Sequence, residues 1–302
     1  MPGPTLRMGD RLLEVDGTLV MGVVNASPDS FSDAGRYQSL EDRLHLAAEL
    51  VAEGADILDV GGQSGITGVP EVDPAEESDR VVPVIEGIRA RFPDLLISVD
   101  SYKPPVVAAA LAAGASIVND VSGFLYPEVA GLCADAGAAL VVMHTRARPK
   151  ERLVDPAFYD DVVGDVVGFL EAKIAEAVAL GLAAEAIVVD PGPDFAKTPA
   201  QTVDVLRGLD EVRRLGRPLL LALSRKDFLG AIVLKPPRQR LAATMAAVAH
   251  IAAVPGNIVR VHDVEATRDV LAVIEVLAGR ADVDPAYELP MSLRREVIAR
   301  PD

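Results

Sequence analysis

A chain of 302 residues, half of them hydrophobic, can bury a substantial core, yet no run in it approaches the ~20 apolar residues of a membrane span. The 45 acidic and 29 basic side chains give a formal charge of −16, which argues against a broad nucleic-acid or anionic-membrane surface. Trp is absent, Cys133 is the single cysteine, and the N-terminal residues lack the apolar stretch of a secretory signal, so an aromatic base-stacking platform and a disulfide framework are excluded and the cytoplasm is the expected location.

In chain order, Leu6–Val15, turning at Met8-Gly9-Asp10, reads as a hairpin suited to plug the N-terminal face of a barrel. Leu19–Val24 is the first apolar run of strand length. Ile57–Val60, Leu95–Val99, Ser116–Val118, Ala139–Met143, Ala186–Val189, Leu219–Leu223 and Asn257–Val261 follow. Between them lie stretches with apolar residues at three- and four-residue spacing: Leu40–Glu53, Glu76–Arg91, Pro105–Ala113, Pro127–Ala136, Asp160–Leu180, Ala200–Leu215 and Arg238–Val254, with Val264–Ala278 closing the series. Continuously apolar strands imply burial on both faces, as in parallel sheets covered by helices. Eight such alternations match a (β/α)8 TIM barrel of about 250 residues, and an open doubly wound sheet is the alternative. The expectation is an α/β chain with one domain over residues 1–302 and a barrel core at about 18–280. The tail from Asp282 reads as a surface extension or interface arm.

Polar residues gather where the apolar runs stop: Asn25, Asp59, Gly61-Gly62-Gln63, Asp100, Asn119-Asp120, His144, Asp190, Ser224-Arg225-Lys226 and Arg260-Val261-His262-Asp263. In a barrel all of these emerge at the C-terminal rim, where the active sites of this fold lie. Ordinary explanations stand beside that one. Asp59, Asp120 and Asp263 can be helix N-caps, and His144 can be a packed, hydrogen-bonded histidine. The ring as a whole is harder to explain that way, because Lys226 needs a partner for its charge and Arg260 and His262, two apart, share one face. A carboxylate beside an amide can hold a heterocycle with adjacent N–H groups. Arg260, His262 and Asn25 can hold a pyrophosphate bridged by a divalent cation.

Four motifs together resemble the dihydropteroate synthase family: Met21-Gly22-Val23-Val24-Asn25-Ala26-Ser27-Pro28-Asp29-Ser30-Phe31-Ser32-Asp33; Asp190-Pro191-Gly192 with Phe195 and Lys197-Thr198; Ser224-Arg225-Lys226; and Arg260-Val261-His262-Asp263-Val264. The resemblance runs from about Leu19 to Leu277. It implies a condensation of a hydroxymethyl-dihydropterin pyrophosphate with 4-aminobenzoate, through a pterin methylene cation left when pyrophosphate departs. It further implies that Asp190, Asn119 and Lys226 hold the pterin beside Phe195, and that Asp100 stabilises the developing positive charge. Asn25, Arg260 and His262 would bind pyrophosphate with Mg2+, Asn25 being the metal-side ligand. The loop from Ser27 to Gly35, with Phe31 and Asp33, would close over the site beside Ser64 and exclude water. The family is commonly dimeric through its last helices, which makes a homodimer the expected assembly.

Where the family's second loop reads Gly-Gly-Glu-Ser-Thr-Arg-Pro-Gly, this chain has Gly61-Gly62-Gln63-Ser64-Gly65-Ile66-Thr67-Gly68, and Asp227 replaces the serine that follows the lysine of Ser-Arg-Lys. An ionised Asp227 would repel the 4-aminobenzoate carboxylate. Asp194 and Ala196 stand where glycines are usual, and Thr145-Arg146-Ala147-Arg148 follows His144, offering Arg146 or Arg148 as replacement positive charge. This combination is similar to the divergent second synthase-like copies of actinobacteria. Three readings stay open: a dihydropteroate synthase, a pterin-binding paralogue that uses another amine or lacks synthase activity, and another barrel enzyme such as a pterin-binding methyltransferase.

Overall fold

The computed structural model describes residues 3–27, 39–65 and 67–294. Its first elements, β1 (Thr5–Met8) and β2 (Arg11–Glu14), form an antiparallel hairpin. Eight parallel strands then close a barrel: β3 (Thr18–Asn25), β4 (Ile57–Gly61), β5 (Leu96–Asp100), β6 (Ile117–Asp120), β7 (Ala139–Met143), β8 (Ile187–Asp190), β9 (Leu219–Ala222) and β10 (Asn257–Val261). The closing seam pairs β10 with β3 on one side and β9 on the other. The (β/α)8 expectation and the hairpin both hold, and the open sheet is excluded.

Helices α1 (Leu40–Ala52), α2 (Pro74–Arg91), α3 (Pro104–Ala112), α4 (Glu128–Ala136), α5 (Val162–Ala179), α6 (Pro199–Arg207), α7 (Leu209–Arg213), α8 (Asp227–Val233), α9 (Leu241–Ala252) and α10 (Val264–Leu277) cover the barrel. Their starts follow local chemistry. Ser39 with Asp42, and Thr198 with Gln201, make reciprocal capping boxes, and Asp73 caps α2 ahead of Pro74.

Two apolar layers follow from the two-residue period of the strands. Outward residues such as Val24, Val60, Val99, Val118 and Val189 pack against the helices. Inward residues Met21, Ile57, Leu96, Ile117, Val188, Leu220 and Ile258 fill the lower barrel and meet Leu6, Met8 and Val15, so the hairpin seals the N-terminal face. The same parity sends Asn25, Asp59, Asp100, Asn119, Asp190 and Arg260 inward one or two steps higher.

Three local expectations change. Strands β3, β5, β6 and β8 run through Asn25, Asp100, Asp120 and Asp190 instead of stopping before them. The ladder is made by backbone groups, so a polar side chain facing a cavity does not end it. The single helix expected over Ala200–Leu215 breaks into α6 and α7 at Gly208, where a Cβ would lie 2.8 Å from both Val163 methyls. Helix α8 was not expected, its seven residues being too few to show a helical period.

Candidate active site

A cavity of about 600 Å³ opens at the C-terminal ends of the strands. Asn25, Ser64, Asp100, Asn119, Asp190, Phe195, Lys226, Arg260 and His262 all line it, which brings together the expected site residues that fall within the described chain. Of the loop from Ser27 to Gly35 only Ser27 is described, and it lines the cavity; residues 28–35, Phe31 and Asp33 among them, and Ile66 lie outside the described residues.

One backbone row sets the floor. Asn25 pairs with Gly61, Gly61 with Asp100, and Asp100 with Asn119, so an amide, a carboxylate and a second amide stand at one height. Across the barrel, Arg260 Nε donates to Asp59 Oδ2 at 2.6 Å and Nη2 donates to Asp100 Oδ2 at 2.9 Å. Asn119 Nδ2 donates to the same Asp59 oxygen at 3.3 Å. Asp59 is therefore no N-cap. It is a fully buried carboxylate inside β4 that holds Arg260 and Asn119 from below. Burial works to lower the Arg260 pKa, but the Asp59 and Asp100 carboxylates outweigh it and hold the guanidinium charged. Burial pushes Asp100 up to about 7, with Arg260 pulling the other way.

Asp120, one residue past Asn119, has the opposite parity. Its Oδ1 accepts from Ser122 N–H at 2.7 Å and Ser122 Oγ at 2.6 Å, a local turn, so Asp120 is no N-cap either: α4 starts eight residues on, behind Pro127. His144 is likewise buried and outside the cavity lining, with Asp165 and Lys197 at its two ring nitrogens. Asp263 accepts from Arg225 Nη2 at 2.9 Å and makes no side-chain cap bond.

The loop after β8 forms a cradle. Asp190 Oδ1 accepts from Gly192 N–H at 2.7 Å, and burial raises this carboxyl to about 6. Gly192 has φ +65°, and a Cβ there would sit 2.1 Å from His144 O, so no other residue fits. Asp194 and Ala196, where the family has glycines, also take left-handed φ values of 63° and 50°. Asp194 offsets that strain: its Oδ2 accepts from the N–H groups of Asp227 (2.6 Å) and Phe228 (3.2 Å) at the start of α8. Lys226 Nζ donates to Pro193 O at 3.0 Å and stands 4.3 Å above the Phe195 ring. Burial lowers the Lys226 pKa against the pull of Asp194 and Asp190.

The remaining departures along the cavity wall also have partners. Asp227 pairs with Arg240 Nη1 at 3.1 Å, while its side chain stays 66% exposed. Arg240 itself is buried and also donates to the carbonyls of Arg225, Lys226 and Lys235. Arg146 does not replace the missing arginine, because it lies on Asp165 over the Phe169 ring and outside the cavity. Arg148 lines the cavity at its exposed rim. Lys150, which sequence reasoning missed, lines it too: its Nζ donates to Ser64 O, and its carbonyl accepts from Gly68 N–H at 3.0 Å. No periodicity marks such a loop lysine. Gln63 is tied inward, accepting from Val72 N–H at 2.6 Å and from Lys103, which forms a buried ion pair with Glu77 at 2.7 Å.

A family profile described as pterin binding enzyme matches residues 21–262. The dihydropteroate synthase of Synechocystis is 40% identical over 279 residues, covering 91% of this chain and 95% of that one. The Xanthomonas albilineans dihydropteroate synthase with 4-aminobenzoic acid superposes with a TM-score of 0.82 at 39% identity, covering 91% and 98% of the two chains. The Burkholderia cenocepacia dihydropteroate synthase complexed with 7,8-dihydropteroate gives 0.82 at 38% identity over 93% and 98%. With the match running from Met21 on the first barrel strand to His262 beyond the last, this chain belongs to the pterin-binding enzyme family.

Proposed function

We propose that this chain is a dihydropteroate synthase-type transferase, joining 6-hydroxymethyl-7,8-dihydropterin pyrophosphate to 4-aminobenzoate with release of pyrophosphate, a step of folate biosynthesis. One observation carries the reading. Asn119 is 1% exposed, and its Oδ1 is a buried acceptor without a hydrogen-bond partner among the described residues. An orphaned buried acceptor costs about 1–3 kcal/mol, and a pterin N–H would satisfy it. Asp190, with one oxygen fixed by Gly192, offers its other oxygen to the adjacent ring and amino N–H groups, and Lys226 donates to the ring carbonyl.

In the reaction the bond from the pterin methylene carbon to the pyrophosphate oxygen breaks, and its electron pair leaves with pyrophosphate. Asp100, held on Arg260, faces the positive charge left on the methylene and ring. Arg260 keeps an unused edge for a pyrophosphate oxygen, and His262, with Nδ1 2.9 Å from Ser224 Oγ, stands beside it. The arylamine nitrogen then forms the C–N bond and loses a proton. Asn25 lines the cavity with a side-chain amide, a hard oxygen donor of the kind Mg2+ takes, and would hold the ion on the pyrophosphate side. When bound, the ion would neutralise charge on the leaving group. Phe31 and Asp33, outside the described residues, belong to the same proposal through the first motif alone.

The test is purified protein with the pterin pyrophosphate and Mg2+, with and without 4-aminobenzoate. With the acceptor, dihydropteroate should appear together with released pyrophosphate, and no pterin binding by calorimetry sinks the reading. Asp227 on the cavity wall favours a second reading, a paralogue of the divergent actinobacterial type that takes a neutral or cationic amine. Pterin binding without product from 4-aminobenzoate, and turnover of such an amine, would select it. A homodimer in the cytoplasm is part of the same proposal. Leu241, Val273 and Leu277 are exposed on α9 and α10 beside Ala242 and Ala246, and no helix of the described residues is long and apolar enough to cross a membrane. Light scattering tests the dimer.

A further inference from the structure

The cradle after β8 contains a buried lysine that the reaction leaves unused. Lys197 is 2% exposed, its Nζ lies 2.8 Å from His144 Nδ1, and it donates to Gly192 O and Phe195 O at 3.0 Å each. His144 is fully buried, with Nε2 2.8 Å from Asp165 Oδ1, and Arg146 donates to both oxygens of that carboxylate. The proton positions follow from which groups can donate. A carboxylate only accepts, so His144 Nε2 carries the hydrogen. The lone pair of the neutral ring is then on Nδ1, and Lys197 must donate to it. Burial lowers the Lys197 pKa to about 7, but with two carbonyls as its other neighbours the ammonium uses all three hydrogens, and a neutral amine would leave one acceptor unserved. Burial and the nearby Lys197 charge push His144 down to about 3, in keeping with a neutral ring.

The two carbonyls that Lys197 grips bracket Pro193 and Phe195, the residues whose carbonyl and ring hold Lys226. Within that bracket Asp194 has a left-handed backbone, as does Ala196 just beyond it, at a cost of about 1–2 kcal/mol per residue. The segment needs an external clamp to hold one shape. We propose that Lys197 is a positioning residue of the pterin pocket, oriented by His144 and, through it, by Asp165 on α5 outside the cavity. The inference rests on the pterin reading of the cavity. It makes α5, which lines no part of that cavity, a determinant of pterin affinity.

The experiment titrates the pterin pyrophosphate into the wild type, Lys197→Met and Asp165→Asn by calorimetry, and measures KM for 4-aminobenzoate in each. Lys197→Met removes all three bonds of the clamp and should weaken pterin binding by about tenfold or more, the loss expected if the freed segment misplaces one charge-assisted hydrogen bond to the pterin. Asp165→Asn, whose amide can also donate and so lets the ring adopt the other tautomer, should weaken it by about threefold. KM for 4-aminobenzoate should change less than about twofold in both. Wild-type pterin affinity in both variants, or equal losses for both substrates, overturns the proposal. Should Lys197→Met fail to fold, Asp165→Asn and nitrogen NMR of the histidine rings decide. A neutral His144 with hydrogen on Nε2 is expected, and a hydrogen on Nδ1 overturns the assignment. A wild-type chain that binds no pterin overturns the functional reading itself, a result distinct from binding that survives both substitutions.

Discussion

The two halves of the cavity are built differently. In the half proposed to hold the pterin, Asp59, Asp100, Asn119, Asp190 and Arg260 sit on barrel strands, and most of their bonds are to one another across distant stretches of chain. Among the residues proposed to meet the acceptor, Ser64, Lys150 and Asp227 sit on or beside loops, and Asp227 and Lys150 are held from the periphery, by Arg240 and by the 61–68 loop. Strand-borne groups with buried partners are fixed before substrate arrives, so little reorganisation is left for the reaction. Loop-borne groups can be exchanged without disturbing the barrel, and that is where this chain departs from its family. Two departures, Asp194 and Ala196, lie instead in the cradle loop after β8, where a left-handed backbone carries a cost that Asp194 offsets through its bonds to the start of α8.

The largest effects should follow from breaking the strand-borne half. Arg260→Met leaves Asp59 and Asp100 buried without their cation, and removing one partner of a buried pair costs about 3–5 kcal/mol. Chemical denaturation should show that loss, and turnover should disappear. Asp190→Asn should cut kcat/KM by about a hundredfold or more, two hydrogen bonds to a charged group at about 1.5–3 kcal/mol each being weakened. If kcat/KM moves less than about tenfold, Asp190 is not the pterin anchor.

Acidification tests the same half by a smaller step. Asp190 and Asp100 protonate at about 6 and about 7 because burial disfavours their charged forms. Their carboxylates are needed ionised, so kcat/KM should fall as pH drops through this window. The stability contribution has the opposite sign. Each folded pKa lies above its unfolded value, so the native state binds more protons between about pH 4 and 7, and each group stabilises below its unfolded pKa and loses that contribution as pH rises through the folded one. Asp190→Asn should therefore gain stability relative to wild type between pH 5 and 7.5, read as a difference in denaturation midpoint. A constant difference would mean that Asp190 does not titrate there.

The same contrast between strand and loop governs what was legible in the sequence. Apolar runs and helical spacing made the barrel legible, and the two-residue period put Arg260 and His262 on one face. That same period, applied from Asn119 to Asp120, separates a cavity residue from a turn residue. Hidden from any local pattern were the contacts between distant residues. Asp59 and Arg260 are 201 positions apart, and nothing near Asp59 distinguishes a helix cap from a buried counter-ion. Lys197 was visible as part of a motif, but its link to His144 and Asp165 depends on how the β7 and β8 ends and α5 pack. Arg240 answers the charge of Asp227 from 13 residues away, so the repulsion inferred from sequence is weaker in the fold.

That pairing sets the size of the next effect. Asp227 is exposed and already paired, which limits its repulsion of an acceptor carboxylate to about 1 kcal/mol or less. Asp227→Ser should lower KM for 4-aminobenzoate by about two- to fivefold and leave KM for the neutral 4-aminobenzamide unchanged. A fall for both acceptors would point to loop rearrangement in place of charge.

The smallest and most discriminating effect belongs to Lys150. It brings a cation from the β7–α5 loop to the 61–68 loop, the segment in which Ile66 replaces the family's arginine. Two roles are combined in it, because its Nζ and its carbonyl staple that loop while its charge faces the cavity. Lys150→Gln separates them: the amide can still donate to Ser64 O, and the backbone bond to Gly68 is untouched, but the charge is gone. If the charge reads the acceptor, KM for 4-aminobenzoate should rise by about threefold, the scale of a solvent-screened ion pair, and KM for 4-aminobenzamide should stay put. Lys150→Arg should restore the difference between the two acceptors. Equal rises for both acceptors would assign Lys150 to the staple alone and leave Arg148, Arg152 and Arg238 of the cavity lining as the cations to test next for the acceptor carboxylate.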